Sequence, residues 1–139
     1  MKWKKLVALF VAVVLLFTNG VNVMAARIST DREVGLRWVN TSTIFSDLTF
    51  RGTTAECSVC IDGFSGTTAI SATYELQRKV GNSYVTIKTW TASGSGYYLD
   101  WYDTYTVTAG YTYRLYITAK VTRNGTTETA NGWTVNTLK

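Results

Sequence analysis

The stretch Tyr111-Thr-Tyr113-Arg114-Leu-Tyr116-Ile-Thr-Ala-Lys-Val-Thr-Arg123, with Asn124-Gly125 behind it, decides the fold. Tyr111, Tyr113, Leu115, Ile117, Ala119 and Val121 fall on every second position. Thr112, Arg114, Tyr116, Thr118, Lys120 and Thr122 fill the places between them. A period of two belongs to a strand with one buried and one wet face; a helix would repeat every 3.6 residues. Asn-Gly is the dipeptide of a two-residue hairpin turn. It predicts a return strand over Thr127–Leu138, with Asn131-Gly132 read as a bulge ahead of Trp133 and Val135.

The same alternation recurs toward the N-terminus. Tyr84–Trp90 and Ala69–Lys79 are predicted to pair across Gly81-Asn82-Ser83. In the first of these, Val85 and Ile87 point one way, and Tyr84, Thr86, Lys88 and Trp90 the other. Ser93–Gly96 is read as a flexible connection to an aromatic strand over Tyr97–Val107. Thr43–Arg51 and Ala55–Asp62 complete the set, with Ala55, Cys57, Val59 and Ile61 inward. Seven antiparallel strands with one apolar face each must bury those faces against one another. A two-layer β-sandwich is the simplest solution, and a small barrel is the other closed form.

Residues 1–25 carry a different grammar. Lys2, Lys4 and Lys5 precede an apolar run from Leu6 to Phe17, and Val23 and Ala25 supply the small residues before a cut. This is the layout of a helical signal peptide. The run is shorter than the ~20 residues a membrane span requires. The expectation is a secreted, extracellular protein with no membrane contact after cleavage. It has a polar tail or lead-in strand over 26–42 and one domain over 43–139.

Composition narrows the chemistry. The chain has no His, hence neither the commonest general base nor the commonest metal ligand. Three of its 14 Lys and Arg residues lie in the leader, which leaves 11 against 9 acidic residues with little clustering. Nucleic acid is therefore not an expected partner. Cys57 and Cys60 stand three apart on a strand, on opposite faces and too distant to bridge. Asp100 and Asp103 likewise face opposite ways, a poor arrangement for paired-carboxylate catalysis. No enzyme activity, metal or cofactor is expected.

Val107-Thr-Ala-Gly110-Tyr-Thr-Tyr113 resembles the loop and sixth strand of fibronectin type III domains, and Tyr74-Glu-Leu-Gln-Arg78 resembles their third strand. Ala109 stands where that family has Pro, and Val59 or Cys60 stands near its second-strand Trp. The resemblance implies a seven-stranded antiparallel immunoglobulin-like (fibronectin type III-like) β-sandwich. It also implies structural roles for Gly110 and Tyr113, the Tyr hydroxyl bonding back to the connecting loop. The leader, Arg37–Ser42, Leu76–Lys79 and Gly110–Arg114 also resemble small secreted proteins of Gram-positive bacteria. That likeness implies export and a lone sandwich domain, and no activity.

Fibronectin-like topology sets the third and sixth strands side by side with Tyr84–Trp90 at the edge. Tyr84, Trp90, Arg114 and Tyr116 then form a candidate binding face for an extracellular protein or glycan. Proline, a common blocker of sheet edges, is absent. Homotypic association through an edge strand is therefore a further expectation.

Overall fold

The computed structural model describes residues 38–139. The leader over 1–25 and residues 26–37 of the tail lie outside the described residues. Seven strands follow in order: β1 (Thr41–Arg51), β2 (Thr54–Gly63), β3 (Thr67–Val80), β4 (Ser83–Ser95), β5 (Tyr98–Thr106), β6 (Tyr111–Arg123) and β7 (Thr126–Leu138). They form two antiparallel sheets, a three-stranded one ordered β1-β2-β5 and a four-stranded one ordered β4-β3-β6-β7. The sandwich, not the barrel, is the closed form.

The core lies where the alternation places it. Leu48, Ala55, Cys57, Val59, Ile61 and Leu99 come from the three-stranded sheet. Ile70, Ala72, Tyr74, Leu76, Tyr113, Leu115, Ile117, Ala119, Val121 and Ala130 oppose them from the four-stranded sheet. Each large aliphatic side chain so buried contributes about 1.5–3 kcal/mol. Asn124 and Gly125 take φ of 51° and 75°, the left-handed pair that a tight hairpin between twisted strands requires.

Four local expectations are corrected. The first strand opens at Thr41, inside the expected tail, because Thr41 is buried and its amide is bonded to Glu128. Trp38–Asn40 precede it as an irregular lead-in, not a strand. Ser93–Ser95 continue β4, paired to Ala69–Ser71, so the connection shrinks to Gly96-Tyr97. Finally, β6 and β7 pair without interruption from Arg123↔Thr126 to Tyr111↔Leu138, so no bulge exists at Asn131-Gly132. Gly132 serves packing instead: a Cβ there would sit 3.0 Å from Ile44 Cγ2 of the opposing sheet.

A bulge does occur in β4. Leu76 pairs with Lys88 and Gln77 with Thr86, which leaves Ile87 without a partner. One extra residue reverses the facing of every side chain beyond it.

The corner between β5 and β6 is fixed by Tyr113. Its ring is buried, and its hydroxyl donates to the Thr108 carbonyl at 2.6 Å while accepting from the Thr108 amide at 3.0 Å. Gly110, at φ 90°, donates its amide to Leu138.

Candidate binding face

The outer side of the four-stranded sheet gathers polar and aromatic side chains by simple pairing. Gln77 lies between Thr86 of β4 and Arg114 of β6. Glu75 lies between Thr89 and Tyr116, and Tyr116 is opposite Trp133. Their side chains form a row across all four strands. The Arg114 guanidinium carbon sits 4.0 Å from the Tyr84 ring centre and 5.2 Å from that of Tyr116. The Tyr116 and Trp133 rings follow, 6.3 Å apart and within 13° of parallel. A guanidinium between two rings gains from both faces, on the order of 0.5–1 kcal/mol each where water has access. Gln77, almost fully buried, accepts from Arg114 Nε at 2.7 Å and sets the plane of the guanidinium. Glu75 accepts from Thr86 Oγ1 at 2.9 Å.

Three of the four predicted face residues therefore meet: Tyr84, Arg114 and Tyr116. Trp90 does not join them. The bulge at Ile87 carries Lys88 and Trp90 to the inner side, where Trp90 pairs with buried Tyr74. Its ring lies 5.1 Å from that of Trp101 and 6.3 Å from that of Tyr105, with Lys88 Nζ 5.8 Å above it. Trp133 takes the vacated role and is 61% exposed. Counting back from the Asn124-Gly125 turn would have placed it beside Tyr116; the expected bulge hid that register.

Farther along the same face runs a shallow groove of about 480 Å³, with Ser71, Thr73, Thr91, Ser93, Thr118 and Lys120 in its lining. It offers five hydroxyls and one ammonium. Elsewhere the two cysteines part company: Cys57 is buried, and Cys60 is on the outer side of β2. Burial, with Asp103 adding, pushes the Cys57 thiol up to about 12, where it stays protonated and unreactive. Asp100 is exposed across from Cys60, while Asp103 is on the opposite side of β5 across from Cys57. Among the described residues no three His, Cys, Asp or Glu side chains converge on a point where a metal ion could sit.

No protein-family model matches the chain, and no curated protein matches it. Among solved structures, the sporulation control protein Spo0M from Bacillus subtilis is similar at 13% identity and a TM-score of 0.37. That likeness covers 72% of this chain, which spans about half (49%) of the length of that structure.

Proposed function

We propose that the protein is a secreted, non-catalytic recognition module of a Gram-positive bacterium. It is built as a fibronectin type III-like, immunoglobulin-like domain and presents the outer side of its four-stranded sheet to an extracellular partner. Export rests on the leader grammar of residues 1–25. The family reading is supported by the strand order, with β3 beside β6 and β4 at the edge, and by the Tyr113 hydroxyl closed on Thr108. The family's second-strand Trp is absent, but Trp101 of β5 stands directly across from Val59 and fills that part of the core.

One observation carries the binding role. Trp133 ends the Tyr84–Arg114–Tyr116 row with most of its surface in water. The row pre-orders the rings, so a partner that stacks on them loses little side-chain entropy. A glycan is the second reading. The hydroxyl-lined groove beside the row supports it, because sugars offer an apolar ring face and a fringe of hydroxyls.

The test compares the protein with its Trp133→Ala and Tyr116→Ala variants on a glycan array and on immobilised surface proteins. Loss of binding at least tenfold in both variants is expected on one of the two supports. Equal binding by all three proteins would overturn the reading.

A further inference from the structure

Charge is sorted between the two sheets. The outer side of the three-stranded sheet carries Asp47, Glu56, Asp62 and Asp100 against Arg51 alone. The outer side of the four-stranded sheet carries Lys79, Arg114 and Lys120 against Glu75 alone. The near balance of charge among the described residues thus conceals two faces of opposite sign. On the acidic face, Arg51 occupies Glu56 at 3.3 Å, which leaves Asp47, Asp62 and Asp100 without an ion-pair partner among the described residues. On the basic face, Glu75 is held by Thr86, and Lys79, Arg114 and Lys120 likewise have no ion-pair partner among the described residues. Each face also exposes aromatics: Phe45, Tyr98 and Tyr102 on one, Trp133 on the other.

These two surfaces lie on opposite sides of the sandwich, so one molecule cannot bring them together. We infer that the occupant of the four-stranded face is the three-stranded face of a second copy of this chain. The inference rests on the reading of that face as a contact surface and names its partner. A polyanion would explain the basic face and leave the acidic, aromatic one unexplained; a second copy accounts for both. Edge pairing is a weaker route, because β4 carries a bulge and Lys88 at its free edge, both of which discourage strand addition. Face-to-back contact is heterologous, so it grows open-ended stacks rather than closed dimers. Three strands ~4.8 Å apart and about nine residues at ~3.4 Å give each side roughly 400 Å². That is a small interface, fit for weak and reversible stacking.

Sedimentation equilibrium of the purified protein tests it. In about 0.01 M salt, where charges are felt over ~30 Å, the average mass should climb with concentration; in about 1 M salt it should fall to one chain. Two swapped variants sharpen the result, each first checked for wild-type melting. Asp47→Lys with Asp100→Lys makes both faces basic, and Lys79→Glu with Lys120→Glu makes both acidic. Either variant alone should stay a single chain, and an equimolar mixture should associate again. A wild type that is one chain at every concentration, or a mixture that stays dissociated, overturns the inference. Binding that depends on Trp133 but occurs with no self-association would remove only the second copy. Absence of both would remove the recognition reading as well.

Discussion

The sandwich closes its two open sides by different physics. Where β1 meets β7, the closure is polar. Thr134 Oγ1 donates to the Ser46 carbonyl and Asn136 Nδ2 to that of Leu48, both at 2.8 Å, so β7 side chains occupy acceptors along β1. Above them the Glu128 carboxylate accepts from the amides of Val39, Asn40 and Thr41 and from the Thr41 hydroxyl. Asn40 returns bonds to the carbonyls of Val121 and Thr126. Where β4 meets β5, the closure is aromatic. Trp101 stacks on Tyr74 at 4.0 Å and 8°, and Trp90 and Tyr105 gather beside it. Directional bonds fix a register and contribute about 1 kcal/mol each. Buried rings contribute several times that and fix register loosely. The polar side therefore governs specificity and the aromatic side stability.

The largest effect should come from breaking the aromatic side. Trp101→Ala removes the ring that bridges the sheets and leaves a void against Tyr74, at a cost of about 3–5 kcal/mol. Urea denaturation should read this as a lowered midpoint with an unchanged slope. A loss below about 1 kcal/mol would mean that the β4–β5 side holds little of the stability.

The polar side should break more gently, and with pH. Burial alone would raise the Glu128 carboxyl, but the amides of Val39, Thr41 and Asn40 and the Thr41 hydroxyl outweigh it and hold the group below its ordinary value. A depressed folded value means the unfolded chain takes up the proton first. The stabilisation is thus complete above the ordinary glutamate value of about 4.3 and fades as pH falls through the lower folded one. Glu128→Gln, which swaps one acceptor for a donor facing backbone amides, should cost about 1–3 kcal/mol at neutral pH. Wild-type and variant stabilities should converge in acid, while the deficit of Trp101→Ala persists. Parallel curves for Glu128→Gln would place the loss outside the carboxylate.

The core was legible in the sequence because period-two alternation states directly what is buried. Strand number, the Asn124-Gly125 turn and the burial of Tyr113 follow from that pattern and from turn chemistry. The polar side was not legible. Glu128, Thr134 and Asn136 look like wet strand residues until β1 is laid against β7, and no local pattern reports a contact nearly ninety residues apart. The side of the sheet that Trp90 takes is hidden for a related reason: the Ile87 bulge has no Gly or Pro to mark it. The charge division is not legible either, because acidic and basic strands interleave along the chain and separate only once the sheets assemble.

The smallest effects compare two buried tyrosines that lose the same atom. Tyr113 places its hydroxyl between the Thr108 amide and carbonyl. Tyr113→Phe orphans both groups and should cost about 0.5–1.5 kcal/mol. Tyr74 is equally buried and stacks in the aromatic side, yet its hydroxyl finds no partner among the described residues. Burial, with Asp100 adding, pushes that hydroxyl up to about 12, so it is neutral at physiological pH. Tyr74→Phe keeps the ring and discards a polar atom that gains nothing from the core, and it should leave the urea midpoint unchanged or raise it slightly. Equal losses from both substitutions would show that Tyr74 is bonded in solution, and that the aromatic side, like the polar one, depends on a directional contact.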